Sequence, residues 1–149
     1  MSGWRRPDEV AVVVRRPGAG GVRYLVLLRA PHKQGYWHLV AGGVEWGEEP
    51  AAAAARELAE ETGLEVPVRP LALALTYVLA EDPEPVRARF APGTERVTLH
   101  GFLAEAPAAW EPSLDAEHVE ARWLPADEAE ALLAYPEPRL MLRTAAEAA

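Results

Sequence analysis

Apolar residues run in short blocks through the first forty positions and take up helical spacing from residue 50 onward. Val10-Ala11-Val12-Val13-Val14 is a β-rich run, closed by Arg15-Arg16 and the turn formers Pro17-Gly18-Ala19-Gly20-Gly21. Residues 22–28 read as the second strand of a hairpin, and residues 37–40 as a third, short strand running into Ala41-Gly42-Gly43. The clearest helix is Pro50–Thr62: proline suits a first-turn position, the alanines at 51–55 have the highest helix propensity, and Gly63 supplies a stop. Ala51, Ala54, Ala55, Leu58 and Thr62 form a stripe at helical spacing and are expected to face a sheet. Residues 71–80, 95–105 and 119–124 read as further strands, with a polar stretch rich in Pro and Arg at 81–94. Helices are predicted from Pro125 to about residue 134 and over 138–149. Strands around one strong central helix, with helices again at the end, predict an α/β sandwich in one domain spanning 1–149.

Composition narrows the function classes. A chain of 149 residues that is 50% hydrophobic and 26% charged has the size and balance of one globular domain. The absence of cysteine excludes disulfides, thiolate metal sites and cysteine nucleophiles. No apolar run reaches bilayer length and no apolar signal segment follows Trp4-Arg5-Arg6-Pro7, so a cytoplasmic protein without a membrane partner is expected. The net charge of -8 repels nucleic acid polymers and anionic membranes. It also repels a small phosphorylated substrate, unless metal ions neutralise the site.

The candidate chemistry lies in residues 42–64. Glu57 and Glu61 stand four apart on the predicted helix and Glu57 and Glu60 three apart, so all three crowd one face. Each carboxylate favours protonation of the next. Arg56 adds one positive charge but, as the sequence neighbour of Glu57, is expected to point elsewhere. Hard divalent cations bind clustered carboxylate oxygens, and magnesium combines a few of them with waters and substrate phosphates. Three glutamates alone read better as a solvated acidic face. Gly42-Gly43 and Gly47, which bracket a tight loop, and Glu48, eight residues before Arg56 and able to clamp it, shift the balance towards a site.

The segment resembles the Nudix box: glycine, five residues, glutamate, seven residues, Arg-Glu, a bulky aliphatic, any residue, Glu-Glu, any residue, glycine and a bulky aliphatic. Every fixed position is filled over the 23 residues 42–64. The resemblance implies an α/β/α sandwich with a mixed sheet and the catalytic helix on one side. It implies hydrolysis of a phosphoanhydride bond with Mg2+ or Mn2+. By position, Glu57, Glu60, Glu61 and the carbonyl of Gly42 are implied as metal ligands and Glu48–Arg56 as the structural pair. The general base is open among Glu60, Glu61 and a glutamate outside the box. The resemblance also leaves a homodimer open.

Selectivity lies outside the box. Leu39-Val40-Ala41-Gly42 departs from the Leu-Pro-Gly-Gly common in nucleotide-cleaving members, which argues against a sanitiser of oxidised dGTP. Trp37-His38-Leu39-Val40-Ala41-Gly42-Gly43-Val44-Glu45, the basic segment containing Arg87, Arg89, Phe90 and Arg96, and Glu117-His118-Val119 followed by Trp123-Leu124 are similar to the dihydroneopterin triphosphate pyrophosphatase branch. That resemblance implies a triphosphate cleaved to the monophosphate plus pyrophosphate, and makes Glu117 a further metal ligand. Arg29, Arg87, Arg89 and Arg96 are candidates for polyphosphate contact, and Tyr36, Trp37 and Phe90 for stacking on a flat ring. His38, His100 and His118 have no ligand spacing and read as structural. Alternatives are a house-cleaning hydrolase of nucleoside triphosphates, dinucleoside polyphosphates or nucleotide sugars, a nucleotide-binding module without turnover, and an acidic interaction domain.

Overall fold

The computed structural model describes residues 3–148. In chain order its elements are β1 (Asp8–Gly18), β2 (Gly21–Arg29), β3 (Trp37–His38), β4 (Val40–Gly43), α1 (Pro50–Thr62), β5 (Val68–Val78), α2 (Glu84–Arg87), β6 (Arg96–Glu105), β7 (His118–Leu124), α3 (Ala126–Leu132) and α4 (Pro136–Glu147). β1 is the organising strand. Its residues 10–14 are apolar on both faces and all are buried, the signature of a strand covered on two sides. It pairs antiparallel with β2 near its end and with β4 near its start, and parallel with β6 along its length. The sheet runs β3-β2-β1-β6-β5, with β4 added on β1 and β7 on β2.

Alternation along β1 divides the core. Val10, Val12 and Val14 face α1 and pack with Leu25, Leu27, Ala53, Ala54 and Leu58. Ala11 and Val13 face the other way and pack with Leu133 of the α3–α4 connection and Met141, Leu142 and Ala145 of α4. The result is the expected α/β/α sandwich with a mixed sheet. A third, small core of Leu79, Phe90 and Val97 underlies the 79–90 connection. No helix among the described residues is long and apolar enough to cross a membrane.

Several elements differ from the sequence expectation, each for a physical reason. β1 does not stop at Arg15-Arg16 but continues to Gly18, because both arginines find distant partners. Arg15 forms a fork on Glu105, while Arg16 lies over the Trp123 ring at 4.1 Å and pairs with Glu111. The predicted strand at 37–40 is two strands, β3 on β2 and β4 on β1, parted at buried Leu39. The polar stretch at 81–94 contains the one-turn helix α2. α4 starts two residues earlier than expected, and residue 149 lies outside the described residues.

α1 keeps its predicted bounds: Pro50 is in the first turn, and Gly63 ends it at φ 81°, its N–H bonded to the Ala59 carbonyl at 2.9 Å. Its buried face is rotated from the expected stripe. Ala51 and Ala55 are exposed, whereas Ala53, Ala54, Leu58, Glu61 and Thr62 are buried. At about 100° per residue, that sector takes in Glu57 and Glu61, so these two carboxylates face the protein.

Candidate active site

The site forms where α1 crosses β4. β4 contributes two consecutive glycines that face opposite sides of the sheet. A Cβ on Gly42 would lie 1.8 Å from Glu57 Oε2, so only glycine lets this carboxylate rest on the strand. A Cβ on Gly43 would meet the Arg5 guanidinium at 2.6 Å. Beside Gly42, the Ala41 N–H donates to Glu61 Oε1 at 3.3 Å.

The loop before α1 is held by a clamp. Arg56 Nε donates to Glu48 Oε2 and Arg56 Nη2 to Glu48 Oε1, both at 2.9 Å, in the bidentate geometry expected of this pair. Arg56 Nη2 also donates to the Gly43 carbonyl at 2.9 Å. Arg56 hydrogen bonds hold the Glu48 carboxyl down at about 2, and those bonds raise the guanidinium in turn. Arg56 was expected to point away from its neighbours. Instead Nη1 lies 3.2 Å from Glu57 Oε2 and 3.6 Å from Glu60 Oε2, since a long side chain on the same turn reaches both.

The three box carboxylates differ in environment. Glu60 is 56% exposed. Glu57 is largely covered, and burial raises its carboxyl against the pull of Arg56. Glu61 is buried, and burial together with the neighbouring Glu57 charge raises its carboxyl well above the usual carboxylate range. Its other neighbour is His118, whose Nε2 lies 3.7 Å from Glu61 Oε1 while Nδ1 lies 2.7 Å from Asp115 Oδ1. The loop carrying Asp115 is tied to the end of α1 by the Ser113 N–H, which donates to the Thr62 carbonyl at 2.9 Å.

This donor set fits a hard divalent cation. It is all oxygen, it has Gly42 backbone beside two carboxylates, and it carries more negative charge than Arg56 cancels. Among the described residues no three carboxylate or imidazole groups already converge as a ligand set, and Arg56 Nη1 stands between Glu57 and Glu60.

The outlying candidates are more scattered. Arg29, at the end of β2, places its guanidinium 5.1 Å from the Tyr36 ring and donates to the Lys33 carbonyl. Trp37 is half-buried under the Arg122 guanidinium at 4.8 Å. Glu117 is 48% exposed and pairs with Lys33 at 3.4 Å; its neighbour His118, read from sequence as structural, is the residue that meets Glu61. Arg87, Arg89 and Arg96 are exposed, and among the described residues no ion pair joins them to the box. Arg87 and Arg96 line an open groove of about 640 Å³ with Trp4 and Thr94. Phe90, expected to stack on a ring, is 3% exposed and packs between Leu79 and Val97. The Asp115–His118 pair has one sequence signal, its three-residue spacing.

The NUDIX domain model matches residues 5–145. The chain is 31% identical over 131 residues to the dihydroneopterin triphosphate diphosphatase of Escherichia coli strain K12, covering 87% of this chain and 85% of that protein. It is 35% identical over 115 residues to an octanoyltransferase of Myxococcus xanthus, a match that covers 77% of this chain but 30% of that longer protein. The structure of the E. coli dihydroneopterin triphosphate pyrophosphohydrolase superposes with a TM-score of 0.79 at 27% identity, over 95% of this chain and 96% of that one. The intact box, the carboxylates packed on β4 and these likenesses agree: the chain belongs to the Nudix hydrolase family.

Proposed function

We propose that the protein is a metal-dependent pyrophosphohydrolase of a small triphosphate, with dihydroneopterin triphosphate, cleaved to the monophosphate and pyrophosphate, as the favoured substrate. The observation that supports the hydrolytic reading is the Glu57–Glu61 pair, packed against Gly42 with more negative charge than Arg56 cancels. The pterin preference rests on the E. coli relatives and on the outlying sequence matches.

Glu57, Glu60, Glu61 and the Gly42 carbonyl hold the Mg2+ or Mn2+ ion in this reading. When bound, the ion neutralises phosphate charge and polarises the phosphorus under attack. The remaining work falls to the chain. The Glu48–Arg56 clamp fixes the loop and the first turns of α1, so that the carboxylates keep their spacing. Asp115 orients His118, which in turn fixes the Glu61 carboxyl. Glu61, once ionised, is suited to take a proton from the attacking water, and exposed Glu60 is the second candidate. Arg29 offers a guanidinium to the polyphosphate beside the aromatic edge of Tyr36.

The test is release of pyrophosphate and phosphate, with Mg2+ or Mn2+, from dihydroneopterin triphosphate, nucleoside triphosphates, dinucleoside polyphosphates and nucleotide sugars. Pyrophosphate release with preference for the pterin is expected. Preference for a nucleotide retains the chemistry and removes the pterin assignment. No release from any of them with either metal overturns the hydrolytic reading.

A further inference from the structure

The chain leading into β1 is tied to the box loop by backbone and side chain. The Thr98 N–H donates to the Pro7 carbonyl at 3.1 Å, and the Val44 N–H to the Asp8 carbonyl at 2.9 Å. Just before them, the Arg5 N–H donates to the Arg89 carbonyl at 2.8 Å, and the Trp46 indole N–H to the Trp4 carbonyl at 2.7 Å. Residues 4–8 therefore form a strap between the box loop and the 79–90 connection.

Arg6 is the side chain of this strap that reaches the loop backbone. Its Nη1 donates to the Glu48 carbonyl at 2.8 Å and to the Glu45 carbonyl at 3.2 Å. Its Nε donates to Asp8 Oδ2 at 2.8 Å, while Asp8 Oδ1 lies 3.0 Å from His100 Nε2 on β6. A guanidinium is planar, so a carboxylate that fixes Nε also fixes the direction of Nη1. The two carbonyls belong to a turn closed by the Glu48 N–H on the Glu45 carbonyl at 3.0 Å, with Gly47 at φ 81°. Loop carbonyls of this kind need a donor from a side chain or from water, and only the side chain ties them to the rest of the fold.

Glu48 is thus held twice. Arg56 of α1 grips its carboxylate, and Arg6 of the strap grips its backbone carbonyl. Arg56 Nη1 in turn lies beside Glu57 and Glu60. Among the described residues no hydrogen bond joins Arg6 to a carboxylate of α1. We propose that Arg6 is a positioning residue of the box: it fixes the turn 45–48 so that Glu48 meets Arg56 where Arg56 holds Glu57 and Glu60 at the spacing a divalent cation needs. This inference rests on the reading of the box as a metal site, and deepens it.

The full chain is titrated calorimetrically with Mn2+ alone, and pyrophosphate release from dihydroneopterin triphosphate, GTP and ATP is measured with Mg2+. Arg6→Ala is expected to weaken Mn2+ binding and to lower kcat, each by about 10- to 100-fold. KM stays within about threefold, because Arg6 holds no substrate. Arg6→Lys still donates to the carbonyls but lacks the planar fork onto Asp8, and recovers part of both losses. In a Glu48→Gln background Arg6→Ala lowers kcat by less than about threefold more, because the path it acts through is already broken. Turnover and Mn2+ affinity unmoved in the variants that fold, a change in melting temperature alone, or an equal effect of Arg6→Ala in both backgrounds overturns the proposal. Where Arg6→Ala melts below the assay temperature, Arg6→Lys carries the test, and full turnover and affinity in that variant overturn the proposal. Absent turnover in the unmodified protein, with a Mn2+ affinity that still follows Arg6, overturns the hydrolytic reading and leaves this one standing. An unmodified protein that takes up no Mn2+ overturns both.

Discussion

Two carboxylates of one short motif meet opposite fates. Glu48 sits at the loop end, with both oxygens occupied by one guanidinium, and its carboxyl is held at about 2. Glu61 sits 13 residues on, buried beside Glu57 and His118, and its carboxyl is pushed far the other way. The first arrangement spends its charge on structure. The second holds two carboxyls where burial makes their charge costly, an arrangement suited to a bound cation. Within the box, the degree of charge compensation separates the residues that hold the fold from those that the proposed function assigns to the reaction.

The contrast breaks most sharply at the uncompensated end. Glu61→Gln or Glu57→Gln is expected to lower turnover by about 10²- to 10⁴-fold, with the metal-free melting temperature unchanged or raised because a buried like-charge pair has been removed. Turnover near that of the unmodified protein, assayed by pyrophosphate release, would return the pair to a structural role. At the compensated end, Arg56→Ala is expected to destabilise the chain by about 1–3 kcal/mol, measured by urea unfolding, because Glu48 loses both bonds and the Gly43 carbonyl a third. A loss confined to turnover, with stability intact, would mean that Arg56 belongs with the reacting groups.

The smallest effect is the dependence of metal-free stability on pH, at most about 1.4 kcal/mol per pH unit for each proton taken up or released. Glu61 binds its proton more tightly folded than unfolded, so its contribution to stability is complete below about pH 4.5 and falls as pH rises towards its raised folded value. Glu48 behaves in the opposite sense: its contribution is present above about pH 4.5 and is lost as pH falls to about 2. Thermal melts from pH 2 to 9 should show the acid limb lost in Arg56→Ala and the neutral limb flattened in Glu61→Gln.

Much of this was legible from the residues. The bounds of α1, its glycine stop and the Glu48–Arg56 clamp follow from local chemistry at fixed spacing. The rotation of α1 was not legible, because the alanines at 51–55 offer no hydrophobic contrast and the phase is set by what β4 accepts beneath Glu57. The extension of β1 through Arg15-Arg16 depends on Glu105 and Glu111, far along the chain. Phe90 looked available for stacking because its neighbours are polar; its burial comes from Leu79 and Val97, which the 79–90 connection folds over it.

The parallel pairing of β1 with β6 has a consequence for how the molecule is made. Arg15 and Glu105 meet across 90 residues of chain, so the central pairing closes only after α1 and both of its buried carboxylates have been synthesised. Closing so long a segment is entropically slow, whereas α1 needs only neighbours in sequence to form. On the nascent chain Glu57 and Glu61 therefore stand in water, ionised and at ease, and their conflict begins only when the sheet arrives. A cost that arises only when the sheet closes is expected to speed unfolding more than it slows folding, which the unfolding rate of Glu61→Gln would show.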